Sequence, residues 1–181
     1  HGSVGALITS FLIIPLITVM SRKMGKKKAF MVSQFISIIG YILFWFLFVP
    51  GKPHLFLYAL PFHSFGIGSL FTIMMSMTAD VCDLDELNTG KRREGVLGAV
   101  YWWMVKLGYG VAALLGGLFL MIVGFDAANV TESAVTGMRL FYTLLPIAGV
   151  IGAVIIMKNY DITEQKAAEI KKALAEQRKQ S

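Results

Sequence analysis

Long blocks of apolar residues, separated by short charged or Gly/Pro-containing breaks, dominate the hydrophobic pattern of this chain. A helix needs about 20 apolar residues to cross a bilayer core. Five blocks reach or approach this length, at residues 4–20, 29–49, 55–77, 96–123 and 138–157. The third contains Pro61, which membrane helices tolerate where neighbours satisfy the backbone. The pattern predicts an all-α membrane bundle of five spanning helices over residues 1–157.

The tail, residues 158–181, has the pattern of a separate amphipathic helix. Asp161 or Thr163 can cap it, with an acidic residue in the first turn and basic residues near the end. One weakly apolar face carries Thr163, Ala167, Ile170 and Leu174. We expect this helix to rest against the membrane or the bundle.

Composition strengthens the membrane interpretation and excludes several functions. Apolar residues make up 56% of the chain, whereas soluble domains have about 45–50%. The single cysteine, Cys82, allows no internal disulfide and no zinc cluster. No nucleophile–base set, metal motif or phosphate loop is present, so we expect neither an enzyme nor a resident cofactor or metal, and nothing indicates a nucleic-acid partner. The acidic residues from Asp80 to Asp85 fit no standard calcium loop.

Basic residues predict the orientation. Fourteen Lys and Arg residues lie in the breaks at 21–28 and 79–94 and in the tail, against Lys52 alone in the alternating breaks at 50–54 and 124–136. By the positive-inside rule, the tail is cytoplasmic and the first span begins outside. A six-span half without its first helix would have this arrangement, so we expect the chain to be a piece of a longer protein.

Lys106 is the most informative residue, because it lies in the otherwise apolar block from Val96 to Val123. It is about 15 Å from the cytoplasmic end of that block at about 1.5 Å per residue, near the middle of a core of about 30 Å. A lysine there costs roughly 2.5–3.5 kcal/mol on insertion scales. We therefore expect Lys106 to face the bundle interior, a water-filled cavity or an acidic partner.

The residues around Lys106 agree with an inward face. A stripe of small residues shares its side of the helix: Ala99, Gly110, Ala113 and Gly117. No Asp or Glu lies in any apolar block. The counter-charge must come from another segment, a bound ion or substrate, or deprotonation of the lysine; a purely structural ion pair is the alternative to a transport role. Of the remaining motifs, His63 is expected to be a helix-packing residue, and Asn129–Thr131 matches a glycosylation sequon.

The stretch ADVCDLDELNTGKRREGVLGAVYWWMVKLG, residues 79–108, resembles the glycoside–pentoside–hexuronide:cation symporters of the major facilitator superfamily. The similarity extends through the last block to NYDIT, and SRKMGKKK at 21–28 resembles the superfamily's loop signature, with Arg22, Gly25 and Lys26 in place and Ser21 where an acidic residue is usual. The resemblance covers essentially the whole chain, aligned to the last five of twelve spans.

The resemblance implies Na⁺- or H⁺-coupled uptake of a sugar or glycoside by alternating access, in the bacterial cytoplasmic membrane. It places Lys106 near a cation site whose acidic residues belong to the other half of the transporter, and it assigns Asp80, Asp83 and Arg92 to a cytoplasmic ionic gate. We add Glu94 of the same charged loop to this gate; a solvated loop without a gating role is the alternative. We expect Phe71, Tyr101, Trp102 and Trp103 to line or support the substrate cavity, in a protein surrounded by membrane lipid. A five-span subunit without transport activity, and a transporter of a non-sugar solute, are the alternatives.

Overall fold

The computed structural model describes residues 2–49, 51–52, 54–126 and 131–180, with no side-chain description at 2–8, 10 and 180. Asn129 and Val130 of the sequon lie outside these residues. Every regular element in the described part is helical: α1 (Gly2–Met24), α2 (Lys26–Leu47), a short 3-10 helix (Leu55–Tyr58), α3 (Leu60–Thr89), α4 (Glu94–Ile122), α5 (Glu132–Lys158) and α6 (Glu164–Gln180).

Four helices in the described part, α2 to α5, are long and apolar enough to cross a membrane. They confirm the predicted all-α membrane bundle, and they overlap four of its five predicted spans. The first predicted span is also helical, because α1 covers it with 23 residues. Since α1 is not among the four, its crossing of the membrane stays a prediction.

The third predicted block, 55–77, was wrong at both ends. Its α-helix begins only at Leu60, because Pro61 favours the first helical turn, and residues 55–58 form the separate 3-10 turn. The helix then continues well past Met77, because no Gly or Pro follows until Gly90. Gly90, at φ 67°, ends α3 in the left-handed conformation that glycine adopts readily. Most of the predicted cytoplasmic loop is therefore the end of α3.

Helix α3 is the centre of the bundle, since it contacts α1, α2, α4 and α6. An apolar core joins α1, α2, α3 and α5 through Ile13, Ile17, Ala29, Phe30, Ile73, Met77 and Met157. Because all these side chains are buried, the four helices form one packed block.

A polar seam fixes α2 against α3 within the apolar segment. The buried Gln34 amide donates hydrogen bonds to Ser69 Oγ at 3.0 Å and to the Gly66 carbonyl at 3.3 Å. The helices approach so closely here that a Cβ on Gly66 would lie 2.7 Å from Ser37 Cβ. Small residues and interhelical hydrogen bonds are the usual means of holding membrane helices together, since lipid provides little hydrophobic driving force between them.

The tail forms the predicted helix, α6, and the predicted face is the one that packs. Ala167, Ile170 and Leu174 are all buried. Thr163 is the cap, because its hydroxyl oxygen accepts a hydrogen bond from the Lys166 N–H at 3.2 Å. The interpretation of a helix resting against the bundle is therefore confirmed.

The α2–α3 seam predicts that Gly66→Ala lowers stability. The new methyl group meets Ser37 in a contact that cannot relax without separating two backbones, at a cost of about 1–3 kcal/mol. The thermal unfolding midpoint of the detergent-purified protein should fall. Gly149→Ala is the control, because a Cβ at Gly149 meets nothing within 4 Å. Equal midpoints for the two variants would contradict the proposed close approach.

Candidate functional site

Helix α4, which carries Lys106, is the least enclosed helix of the bundle. None of its residues is buried by the described chain, and it packs mainly on α3. Near its C-terminal end it also meets α5, where the Phe119 and Phe141 rings stack at 4.3 Å between centroids. One whole side of α4 is therefore available to something other than these residues.

Lys106 lies on this open side with its predicted stripe. Ala99, Lys106, Gly110, Ala113 and Gly117 are all exposed, and a Cβ on Gly110 or Gly117 would meet no atom within 4 Å. The small residues thus do not serve packing within the described part of the chain. They form a narrow, smooth strip that a further helix can approach closely.

A shallow groove of about 410 Å³ surrounds the lysine. Its lining residues are Trp103, Lys106, Leu107, Gly110, Val111 and Leu114. None of them carries a carboxylate, and no described residue forms an ion pair with Lys106. The groove therefore presents one positive charge on an apolar surface, near the middle of a 29-residue helix.

The predicted cavity aromatics divide into two positions. Phe71, Tyr101 and Trp102 come together where α3 meets α4: Trp102 stacks on Phe71 at 6.4 Å and meets Tyr101 edge-on at 5.4 Å. The Tyr101 hydroxyl donates a hydrogen bond to the Leu70 carbonyl at 3.3 Å, so this residue ties α4 to α3. Trp103 instead lies in the groove beside Lys106.

Where α3 ends and α4 begins, Arg92 pairs with two of the other predicted gate residues. Its guanidinium lies 2.9 Å from Glu94 Oε2 and 3.8 Å from Asp83 Oδ1. The shortest of its three contacts, at 2.8 Å, is to Glu86, which was not predicted as a gate residue. Glu86 belongs to the same group of acidic residues as Asp83, but the extension of α3 that turns it toward Arg92 was not predicted.

Asp80, the fourth predicted gate residue, belongs to a different cluster. Its side chain is 2% exposed and pairs with Lys26 of the loop signature, while Lys171 of α6 approaches its other oxygen at 3.7 Å. Gly25, at φ 85°, makes the tight turn that directs Lys26 toward α3. The structure thus joins the loop signature to Asp80 and separates Asp80 from Arg92; Arg22 of the signature remains exposed.

Arg139 and His63 were not assigned a site role. Arg139 donates hydrogen bonds from Nε and Nη2 to the Phe48 carbonyl, at 2.9 and 2.6 Å, and so satisfies the end of α2. His63 meets the Tyr41 and Phe44 rings edge-on, which agrees with a packing role. The sequence signal for Arg139 is that it is the one basic residue within the predicted span at 138–157.

Almost the whole chain matches a known protein family. The family model described as MFS/sugar transport protein matches residues 3–164. The chain belongs to the MFS/sugar transport protein family. The resemblance to glycoside–pentoside–hexuronide:cation symporters is thereby confirmed, and members of this sugar transport family are transporters and not enzymes.

Individual relatives of this sugar transport family member are named as carriers, symporters and permeases. The chain is similar to a glucuronide carrier protein homolog of Escherichia coli strain K12, at 30% identity over 86% of the chain and 34% of the relative. It is 35% identical to an uncharacterized symporter of Synechocystis over 69% of the chain and 24% of the relative. It is 24% identical to a lactose permease of Lactobacillus helveticus over 91% of the chain and 26% of the relative. The chain thus spans about a quarter to a third of their lengths.

The buried pair of Lys26 and Asp80 predicts a marked loss of stability in Lys26→Met. This variant leaves the buried Asp80 carboxylate with only the more exposed Lys171 ammonium, 3.7 Å away, at a cost of about 3 kcal/mol. Lys26→Met/Asp80→Met should recover most of the loss, because no unpaired charge remains. Unfolding midpoints in detergent measure both effects.

The control for this pair is Lys28→Met, since Lys28 is exposed and forms no ion pair with a described residue. A Lys26→Met midpoint equal to that of Lys28→Met would show that the pair does not stabilise the fold.

Proposed function

We propose that this chain is part of a secondary transporter that couples the uptake of a sugar or glycoside to the entry of Na⁺ or H⁺. The observation that carries the proposal is Lys106, a mid-membrane cation on a helix face that the described residues leave uncovered. Membership of a sugar transport family supports it. Relatives named as a glucuronide carrier homolog and a lactose permease support a glycosidic substrate.

Substrate binds near mid-membrane between two helical halves, as in transporters generally. This chain contributes the side formed by α3 and α4, and the other half of the same transporter covers the strip around Gly110 and Gly117. Trp103 borders the solute path beside Lys106. Phe71, Tyr101 and Trp102 hold α4 on α3 and so fix the position of the lysine.

Lys106 acts electrostatically on the coupling ion. Without the cation, its ammonium pairs with carboxylates of the other half, which removes the cost of an isolated charge in the membrane. Binding of Na⁺ or H⁺ neutralises those carboxylates and releases the pairing. Cation binding thereby changes the contacts across the cavity, which is the differential interaction that alternating access requires.

The cytoplasmic charges around Arg92 form the gate. The turn between α3 and α4 joins the central helix to the exposed one, so a displacement of α4 changes the distances from Arg92 to Asp83 and Glu94. We assign these residues to ion pairs that break on inward opening, and assign Asp80 to the support of the gate through Lys26. The tail lies in the cytoplasm, and the protein lies in the bacterial cytoplasmic membrane.

Lys106→Ala, made in the full-length transporter, tests the coupling role. Uptake of radiolabelled glucuronide or galactoside, driven by a Na⁺ or H⁺ gradient in proteoliposomes, should fall by at least about tenfold, which corresponds to about 1.4 kcal/mol of lost pairing. Membrane insertion should be unchanged, because removal of the charge lowers the cost of the span. Lys52→Ala, at an outer-side lysine, is the matched control.

Gradient-driven uptake by Lys106→Ala at the wild-type rate would reject the coupling role. Counterflow with a panel of labelled solutes tests the substrate class separately, since it needs no gradient. Exchange of an organic acid or a drug, without exchange of any glycoside, would assign the transporter to a non-sugar solute.

A further inference from the structure

Helix α6 runs alongside the cytoplasmic end of α3 in the same direction. Lys171 meets Asp80 and, further along both helices, Arg178 meets Glu86 at 2.7 Å. The partners are seven residues apart on α6 and six on α3, which correspond to about 10.5 and 9 Å of helical rise. The two charge pairs are therefore in register and fix α6 lengthwise on α3.

Two further contacts hold α6 in this position. Ala167, Ile170 and Leu174, on the face that also carries Lys171 and Arg178, are 5–6% exposed. At the start of α6, Glu164 Oε1 accepts a hydrogen bond from the Lys26 N–H at 3.1 Å. Helix α6 is therefore docked along its length, and Arg178 reaches Glu86 from a fixed base.

Glu86 is shared between the tail and the α3–α4 turn. Its Oε2 accepts from Arg92 at 2.8 Å and its Oε1 accepts from Arg178 at 2.7 Å. Its side chain is only 13% exposed, while the two arginines are 46% and 58% exposed. We propose that α6, through Arg178, positions the Glu86 carboxylate for Arg92 and so orders the turn at residues 90–94; that this turn belongs to a gate rests on the proposed function.

Arg178 has two opposite effects on the contact between Arg92 and Glu86, and the larger one decides whether that contact is strengthened or weakened. Two guanidinium groups on one carboxylate repel each other, but both arginines are about half exposed. Measured interactions between exposed charged side chains change an equilibrium by about fivefold or less, and salt lowers them further. Ordering a glutamate side chain costs about tenfold or more in an equilibrium. Because Arg178 already orders the Glu86 side chain, Arg92 binds its carboxylate without that ordering cost. The ordering effect is the larger, so Arg178 strengthens the contact of Arg92.

Arg178→Gln in the intact protein, reconstituted in lipid nanodiscs, tests this positioning role by hydrogen–deuterium exchange. The peptide covering residues 90–97 reports the turn, because its amides at Gly90, Lys91, Val96 and Leu97 are hydrogen-bonded. Its exchange should become about three- to tenfold faster, the share of the ordering that Arg178 supplies. Lys179→Gln, the same change of charge on the next residue, should leave exchange as in the wild type.

Arg178→Lys should restore exchange at 90–97 to near the wild-type rate, because a cation again holds Glu86. Equal exchange in Arg178→Gln and Lys179→Gln, or slower exchange in Arg178→Gln, would overturn the proposal. Faster exchange confined to the tail peptide 164–177 would overturn it as well. The measurement uses no transported solute, so its failure is separate from a failure of the sugar transport proposal.

Discussion

The exclusion of unpaired charge and unsatisfied backbone from a lipid interior is the constraint on which this structure depends. It explains why Arg139 satisfies the carbonyl at the end of α2 and why Gln34 finds two acceptors inside the α2–α3 seam. The same constraint makes Lys106 conspicuous, because every other cation within or next to the spans is either at a helix end or engaged. A charge that the described residues leave unpaired inside a candidate membrane span is the observation on which the proposed coupling role rests.

The sequence predicted the long apolar helices of the bundle well, because a bilayer core requires hydrophobic segments of a fixed minimum length. It also predicted the packing face of α6, since Ala167, Ile170 and Leu174 follow the helical period. It failed where an element carries mixed signals. Residues 78–89 are polar enough for a loop, yet they contain no helix breaker, and helix propensity together with packing against α6 extended α3 to Thr89.

The charge pairs around Asp80 and Arg92 could not be predicted from the sequence, for a different reason. Asp80, Asp83, Asp85 and Glu86 lie within seven residues, and several cations lie within reach. Which of them pair depends on the turn at Gly25, the extra turns of α3 and the docking of α6, none of which the local sequence specifies. The composition of the charged cluster was predictable, whereas the separation of Asp80 from Arg92 was not. The functional roles of Lys106 and Arg92 remain predictions that transport measurements test.

The junction between α1 and α2 has a mechanical consequence. A single residue, Gly25, separates Met24 from Lys26, and the ammonium of Lys27 is held by the carbonyls of Lys158 and Tyr160 at 2.7 and 2.8 Å. This short connection couples α1 to α2 and to the end of α5, so we expect a tilt of α1 to be accompanied by both. Because α3 is packed in the same core, α4, which packs mainly on α3, is the helix that the others constrain least.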